Sequence, residues 1–297
     1  MQEEKSVRAR VHALSPEVAR KIAAGEVIDR PCAILRELLD NAVDSGANKI
    51  SVEIESGGIE KIRVVDNGCG MSKEDLASCA RPHATSKISN ENDLLNLTTL
   101  GFRGEALASM AAVSRLEITS GGWKMKASLS EDHLITPSPS KTGCIVQTAG
   151  LFENFPARRV FLKRPSSEAN LCKAMFEEKA IARPDIELSF TSDGEEKASL
   201  PAGQSYKERF VQALGLFENE DLFYELKGNI EDEGSFRLII GEPDVSRSNR
   251  KYIYIYVNGR RVQEFSLIQA IEYGCQGYFP NGSHPVACLF AEVLPSL

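Results

Sequence analysis

The chain has 297 residues, 42% of them hydrophobic, and a formal net charge of −7 at pH 7. This length suffices for two domains with buried cores, and the acidic balance argues against a protein that is basic throughout. Seven cysteines without a Cys-x-x-Cys pair argue against a zinc site or a disulfide framework and favour reduced thiols in the cytoplasm. No apolar run approaches the ~18 residues that span a bilayer.

The first element with a clear pattern is a helix over residues 31–46. Pro31 suits the first helical position, and Gly46 suits the left-handed residue that ends a helix. Leucine, alanine and valine recur on one face at spacings of three and four. Glu37 and Asn41, four residues apart, therefore direct a carboxylate and an amide oxygen into the same space. The alternative for this pair is a solvated polar face on an amphipathic helix.

Two strands follow the helix and lead to an acidic loop. Residues 50–54 alternate apolar and polar side chains, and residues 59–65 return after a glycine turn. The loop begins at Asp66 and contains Gly68 and Gly70, which remove side chains where a flat ligand can lie against the backbone. A carboxylate here accepts from the exocyclic amine of adenine, whereas guanine presents a carbonyl. The alternative is an ordinary Asp/Asn/Gly turn after a strand.

A polar segment with little periodicity, residues 81–100, precedes a glycine-rich run. Its length favours a lid over a site, and Lys87 within it is a candidate phosphate contact. Gly101-Phe-Arg-Gly104 leads into a strong helix-forming run at residues 105–112. Such glycines expose backbone N–H groups to phosphate oxygens, although Gly-x-x-Gly alone is weak evidence. Together these pieces supply a base, a metal ligand, an adenine reader and a phosphate cradle, which are the components of an ATPase.

The remainder of the chain predicts mixed strands and helices. Strands are expected at residues 115–120, 123–129, 143–148 and 186–190, the last at a sheet edge, and a long helix at 166–182. After a linker at 199–203 come a helix at 205–214, strands at 222–226, 236–240 and 252–257, and a helix at 266–274. This order favours an α+β sandwich with helices on one face of a mainly antiparallel sheet.

Six motifs give the chain a resemblance to a known family. They are Ile22-Ala-Ala-Gly-Glu-Val27, Arg36-Glu-Leu-Leu-Asp-Asn41, Asp66-Asn-Gly-Cys-Gly-Met71, His83-Ala-Thr-Ser-Lys87, Gly101-Phe-Arg-Gly-Glu-Ala-Leu107 and Pro156-Ala-Arg-Arg159. With them the chain resembles the N-terminal ATPase region of the MutL family of DNA mismatch repair proteins, from about Val11 to the end. That family belongs to the GHKL superfamily with gyrase B and the histidine kinases. The first three motifs are shared across the superfamily, whereas the last two are more specific to MutL.

The resemblance implies a fold and a domain division. A GHKL (Bergerat) ATPase α/β sandwich is expected in residues 11–200, and a second, smaller ribosomal-S5-like α/β domain in residues 204–297. The family carries an Asn-Val-His-Pro-x-Lys segment after the strand that corresponds to residues 286–293, so the second domain is expected to be truncated and turnover impaired. Pro82, Cys144 and Phe155 replace the Arg, Thr and Thr that are usual in the family.

Carried over by position, the resemblance implies a site for ATP and Mg²⁺. Glu37 would be the general base that activates water, Asn41 would hold Mg²⁺, and Asp66 would accept from adenine. The other nucleotide-binding positions are Gly70, Met71, Thr85, Ser86, Lys87, Gly101, Phe102, Arg103, Gly104, Glu105, Ala106 and Leu107. Lys87 and the last seven would close over the phosphates as a lid.

The resemblance also implies partners. Arg158 and Arg159, and separately Arg260 and Arg261, would contact DNA backbone without sequence preference, and a solvated charged surface is the alternative. A mismatch-recognition protein of the MutS family and an ATP-dependent homodimer are expected, with no membrane association. The expected function is a slow ATPase switch that links mismatch recognition to strand removal. The alternatives are a nucleotide-gated scaffold without significant turnover, or another GHKL ATPase similar to gyrase B.

Overall fold

A computed structural model of the chain describes residues 23–81, 105–129, 131–140, 142–230 and 234–294. The strands of a first sheet are β1 (Lys49–Glu55), β2 (Lys61–Asp66), β3 (Arg115–Ser120), β4 (Trp123–Lys126), β5 (Leu134–Pro137), β6 (Cys144–Ala149), β7 (Glu187–Ser192) and β8 (Glu195–Leu200). Their spatial order is β5-β4-β3-β6-β2-β1-β7-β8. The β1–β7 pair is parallel and the other pairs of these strands are antiparallel, which confirms a mainly antiparallel sheet.

The helices are α1 (Pro31–Asp44), α2 (Lys73–Ser78), α3 (Ala106–Val113), α4 (Pro156–Arg159), α5 (Pro165–Ile181), α6 (Tyr206–Ala213) and α7 (Phe265–Gly274). The helices α1, α3 and α5 form a layer that covers one face of the first sheet. Within this layer, α1 packs against α5 and α3, and it also packs against the strand β2. Alternate residues of β1 and β2 are buried under this layer, while the intervening residues are half-buried or exposed. The predicted one-sided sandwich is therefore confirmed.

The helix α1 forms where the periodicity predicts it. Pro31 occupies its first turn and Gly46 follows it with a φ of 76°. Four of the five apolar side chains of the predicted stripe, Leu35, Leu38, Leu39 and Ala42, are almost fully buried, as is the neighbouring Ile34, whereas Val43 is half-buried. Each fully buried leucine or isoleucine contributes about 1.5–3 kcal/mol relative to exposure. This burial fixes the rotation of α1 and so leaves Glu37 and Asn41 on a different, half-buried face.

One strand prediction is wrong in its placement. The strand β7 is not an edge strand, because β1 pairs with one side of it and β8 with the other. Most of β8 is exposed, and only Leu200 at its end is buried. A strand of this kind lacks the apolar alternation that identifies a half-buried strand, so the sequence does not predict it, and its last two residues fall within the predicted linker at 199–203.

The second sheet contains β9 (Phe223–Ile230), β10 (Gly234–Gly241), β11 (Ile253–Val257), β12 (Arg260–Arg261) and β13 (Ala287–Val293), in the order β12-β11-β13-β10-β9. The helix α7 packs on β11, and α6 contacts α5, β8 and β9, so it bridges the two sheets. Ser205 and Glu208 form a capping box that starts α6. Among the described residues, no helix is long and apolar enough to cross a membrane.

Candidate active site

The polar site begins at Asp66, the last residue of β2, which is 8% exposed. Its Oδ1 accepts from the Gly68 backbone N–H (2.9 Å) and from the Ser45 hydroxyl (3.3 Å). Burial raises the pKa of this carboxyl, and the two hydrogen bonds oppose part of the rise because they favour the ionised form. Asp66 is thus a buried acceptor that is tied to the residue following α1.

A buried hydroxyl that the sequence analysis missed lies in the same row. Ser120 ends β3, and its hydroxyl accepts from the Met71 N–H (2.8 Å) and donates to the Gly143 carbonyl (2.7 Å). In the ladders, Cys144 pairs with both Asp66 and Ser120, so the three polar side chains lie side by side at one end of the sheet. In the sequence, Ser120 stands before two glycines and looks like a serine in an ordinary turn. Its place in the site becomes visible only when β3 pairs with β6.

The two glycines of the Asp66 loop are required by the fold itself. A Cβ at Gly68 would lie 1.9 Å from the Ser45 hydroxyl oxygen, and one at Gly70 would lie 2.7 Å from the Ser120 hydroxyl oxygen. Gly70 also has a φ of 71°, a backbone conformation that other residues adopt only with strain. Both glycines let the loop close against α1 and the sheet, and this requirement is separate from the expected space for a flat ligand.

The residue after α1 continues the polar face on which the sequence places Glu37, Asn41 and Asp44. Ser45 lies four residues after Asn41, and its single hydroxyl proton is shared between the Ala42 carbonyl (2.7 Å) and the more distant Asp66 Oδ1 (3.3 Å). From Ser45, Asn41 and Glu37 lie one and two turns back along the helix, roughly 6 and 12 Å at about 1.5 Å per residue. An extended ligand whose base contacts Asp66 would therefore pass Asn41 before it reaches Glu37.

Glu37 lies at the far end of this stripe and its side chain is 25% exposed. Its Oε1 accepts from the guanidinium of the neighbouring Arg36, with an Nη2–Oε1 distance of 3.1 Å. The carboxylate is therefore neither buried in apolar surroundings nor fully turned to solvent. The contact with Arg36 is made at Oε1, one of the two oxygens that a carboxylate offers as acceptors.

Only part of the predicted phosphate-binding region falls on described residues. Thr85, Ser86 and Lys87, together with Gly101, Phe102, Arg103 and Gly104, lie outside them, as does Pro82. Glu105 immediately precedes α3, and Ala106 and Leu107 form its first turn, where all three are half-buried. The predicted helix start is confirmed, and α3 packs against α1 and β3.

The departure at Cys144 has a visible consequence. Its thiol is buried, and burial followed by the nearby Asp66 carboxylate raises its pKa to about 12, so it stays neutral at ordinary pH. A neutral thiol is only a weak hydrogen-bond donor. The hydroxyl of Ser120 lies on the adjacent strand and is the stronger polar group in this row.

The first two predicted DNA contacts, Arg158 and Arg159, lie on α4. The Arg158 guanidinium lies against Gly25, where an added Cβ would be 1.6 Å from its Nη1, and over the Phe152 ring at 6.0 Å. Arg159 pairs with Glu60 at 2.5 Å and its side chain remains 39% exposed. Both of these predicted DNA contacts are half-buried, and the ion pair of Arg159 is one that solvent screens.

Arg261 has a structural role within the second sheet. Its guanidinium donates to the carbonyl oxygens of Ile253, Ile255 and Val262. It also lies over the Tyr254 ring at 5.0 Å, and its side chain is 17% exposed. These donors are used inside the second sheet, so less of this guanidinium is available to a phosphate, and its contact with DNA stays a prediction. Arg260, the other residue of β12, is half-buried.

Comparison with known proteins agrees with this fold. A family model described as "Histidine kinase-, DNA gyrase B-, and HSP90-like ATPase" matches residues 31–143, which include α1 and the Asp66 loop. The chain is similar to the Aquifex aeolicus MutL ATPase domain complexed with ADP, at 23% identity and a TM-score of 0.67 over 91% of this chain and 94% of that one. It is also similar to the N-terminal domain of a DNA repair protein, at 24% identity and a TM-score of 0.77 over 94% and 88%. The chain therefore has the GHKL ATPase fold.

Matches in the second part of the chain and along its whole length specify the family. A model described as "DNA mismatch repair protein, C-terminal domain" matches residues 217–297. The chain is 46% identical to the DNA mismatch repair protein MutL of Treponema pallidum over 95% of its own length and 48% of that protein, and 38% identical to MutL of Borreliella afzelii over 96% and 47%. The chain belongs to the MutL family of DNA mismatch repair proteins. It spans about half the length of these relatives.

Proposed function

We propose that this chain binds ATP and hydrolyses it slowly, as the nucleotide-driven switch of a DNA mismatch repair protein. The observation that carries the proposal is the stripe of Glu37, Asn41 and Ser45 on α1, with Ser45 hydrogen-bonded to the buried Asp66. A nucleotide bound along these residues would place its base at Asp66, its phosphates near Asn41 and its γ-phosphate near Glu37. The similarity of fold to a MutL ATPase domain complexed with ADP supports the same assignment.

At the base end, Asp66 accepts from the exocyclic amine of adenine, and Gly70 and Met71 lie beside the ring. The carboxylate is buried and hydrogen-bonded, so it is held in place before the nucleotide arrives. Guanine presents a carbonyl in the position of that amine, and two acceptors facing each other without a proton are unfavourable. The site therefore selects ATP over GTP.

At the phosphate end, Glu37 accepts a proton from water as the water oxygen attacks the γ-phosphorus, and the bond from that phosphorus to the bridging oxygen of ADP breaks. Asn41 offers an amide oxygen one turn from a carboxylate, and hard oxygen donors of this kind suit Mg²⁺. When bound, Mg²⁺ neutralises charge on the phosphate oxygens. Thr85, Ser86, Lys87 and the segment from Gly101 to Leu107 close over the phosphates.

The wider role rests on the family. Residues 11–200 form the nucleotide-binding domain and residues 204–297 the second domain, and ATP-dependent closure creates a homodimer that signals from a MutS-family partner to strand removal in the cytoplasm. Arg158, Arg159 and Arg260 contact DNA backbone without sequence preference. If they do, affinity for DNA falls steeply as salt rises, and affinity that stays flat over the same salt range contradicts this part of the proposal.

Two substitutions separate binding from chemistry. In Glu37→Ala, affinity for a non-hydrolysable ATP analogue is retained and turnover falls roughly 10²–10⁴-fold, the range of a lost general base. In Asp66→Asn, the affinity for nucleotide falls, because the asparagine amide presents an N–H donor in place of one of the two carboxylate acceptors. Calorimetric titration and a phosphate-release assay measure the two effects, with Glu195→Gln on the exposed strand β8 as a control. Equal turnover in Glu37→Ala removes Glu37 from the mechanism.

A second function is favoured by one contact, the Arg36–Glu37 ion pair at 3.1 Å. If Arg36 keeps the carboxylate occupied, the chain is a binding module that uses ATP as a conformational ligand without significant turnover. Nucleotide binding and size analysis at saturating analogue then show closure or dimerisation while phosphate release stays at the background level. Turnover that is stimulated in Arg36→Met identifies the ion pair as the reason.

A further inference from the structure

The last turn of α5 contacts the proposed catalytic helix. Lys179 Nζ lies 2.5 Å from Asp40 Oδ1, and the two side chains are 21% and 11% exposed. Asp40 lies on α1, three residues after Glu37 and directly before Asn41. The two helices pack side by side along this region. The ion pair therefore joins α5 to α1 at the turn that carries both Glu37 and Asn41.

The same turn of α5 is held from the other side by the second sheet and by α6. Tyr256, on β11, donates its hydroxyl to the Glu178 carbonyl at 2.5 Å. Arg209, on α6, donates to the Ala180 carbonyl at 3.2 Å. Residues 178 and 180 are thus fixed by elements that follow the first sheet in the chain, and Lys179 between them reaches α1. Because a helix turn is stiff, a shift of the second sheet moves Lys179.

The ion pair adds a polar contact to apolar packing that already determines which face of α1 is buried. A carboxylate that is 11% exposed loses much of its hydration, and Lys179 is the cation that its Oδ1 contacts. A rotation of α1 that separated the two groups would leave this partly buried carboxylate without that cation, which is costly. Because Glu37 lies on the same turn of α1, its direction changes with any such rotation.

We propose that Lys179 is a positioning residue of the ATPase site, which holds α1 in the rotation that presents Glu37 and Asn41 to the nucleotide, and that the last turn of α5 transmits the position of the second sheet to this helix. The proposal rests on the proposed ATPase function. It assigns Lys179 no contact with nucleotide. Its effect is on the geometry of the reacting groups, which small displacements alter strongly.

The test compares Lys179→Met, Lys179→Arg and a matched control, Lys173→Met. Lys173 lies on the same helix and forms an ion pair with Glu177 on α5 itself, so its loss leaves α1 untouched. In Lys179→Met, kcat falls roughly 10- to 100-fold, the effect of a small misplacement, while affinity for a non-hydrolysable ATP analogue changes little. Lys179→Arg restores a large part of kcat, and Lys173→Met behaves as the unsubstituted protein.

A second measurement does not depend on turnover. Amide hydrogen exchange of residues 37–41 is faster in Lys179→Met than in Lys173→Met, and Tyr256→Phe, which removes the hydroxyl on Glu178, gives a smaller change of the same sign. If Lys179→Met prevents folding, Lys179→Gln and Tyr256→Phe are measured in its place.

Each outcome decides the proposal. The proposal is overturned if Lys179→Met leaves both kcat and the amide hydrogen exchange of residues 37–41 unchanged. A parallel loss of kcat, affinity and thermal stability, without rescue by arginine, also overturns it and leaves Lys179 a structural role. If the unsubstituted chain has no turnover and Glu37→Ala behaves identically, the ATPase function fails, and exchange at residues 37–41 still tests whether Lys179 positions α1.

Discussion

The two ends of the proposed nucleotide site are supported in different ways. At the adenine end, one loop and the ends of neighbouring strands interlock: Asp66 bonds Gly68 and Ser45, and Ser120 bonds Met71 and Gly143. At the phosphate end, Glu37 is on the surface of α1, whose orientation depends on α5 and, through α5, on α6 and the second sheet. The base site is therefore preformed locally, whereas the catalytic end depends on long-range packing.

The largest expected effect tests the long-range support. Arg209 is fully buried, and burial lowers its pKa to about 10, so it remains charged at neutral pH. Its other acceptors are the carbonyl oxygens of Arg183, Pro184, Ile186 and Pro201 and the side chain of Gln204. Arg209→Met removes the hydrogen bonds from the guanidinium to these acceptors, some of which keep a backbone donor, and is expected to lower the free energy of unfolding by about 1–3 kcal/mol for each acceptor left unsatisfied. Denaturant unfolding measures this loss.

The control for Arg209 is Lys207→Met, two residues earlier on α6, where the side chain is 29% exposed. Its contact with Glu220, at 3.9 Å, is a surface ion pair, and such pairs contribute about 0–1 kcal/mol. If the two substitutions cost the same, the end of α5 is not anchored by Arg209. That result would contradict the long-range support of α1 and would leave the local construction of the adenine end unaffected.

A smaller effect tests the local support of the adenine end. Ser120→Ala removes the hydroxyl that joins Met71 to Gly143, and unsatisfied buried polar groups cost about 1–3 kcal/mol in unfolding free energy. Nucleotide affinity falls as well, because the loop that carries Gly70 loses its tie to the sheet. The matched control is Ser78→Ala at the end of α2, whose exposed hydroxyl bonds the Glu74 carbonyl at 3.3 Å. Comparable losses for both serines contradict the preformed base site.

The sequence predicted the elements whose patterns are local. The stripe of α1 and its first and last residues follow from apolar spacing, a proline and a glycine, and the strands β1 and β2 follow from alternation. The strand β8 has almost no buried side chains, so its pattern carries no signal. Its existence depends on pairing with β7, which no window of sequence contains.

The polar residues of the site show the same limit. Glu37 and Asn41 were predictable because both lie on one helix, and Ser45 continues their spacing. Ser120 acts through two groups from other parts of the chain, Met71 and Gly143, so its role appears only after the strands pair. The inward contacts of Arg261 could not be predicted, because a sequence gives the charge of a side chain after a strand but not the direction in which its guanidinium points.

The smallest expected effect is a pH dependence that isolates Asp66. Burial raises its pKa in the folded state, so the folded protein holds this proton to a higher pH than the unfolded chain, whose aspartate titrates near about 3.9. Below the unfolded value both states are protonated, and the carboxyl is neutral in each. As pH rises through the folded pKa, the folded state must ionise a buried group, and stability falls relative to a chain without it.

Asp66→Asn removes this titration while keeping the shape of the side chain. The difference in unfolding free energy between this variant and the unsubstituted chain therefore shifts in favour of the variant as pH rises from the unfolded pKa through the raised folded one, and then levels off. Denaturant melts at closely spaced pH values measure it. A difference that moves the other way means that the hydrogen bonds from Gly68 and Ser45 outweigh burial, and the base site is then organised around an ionised carboxylate with a lowered pKa.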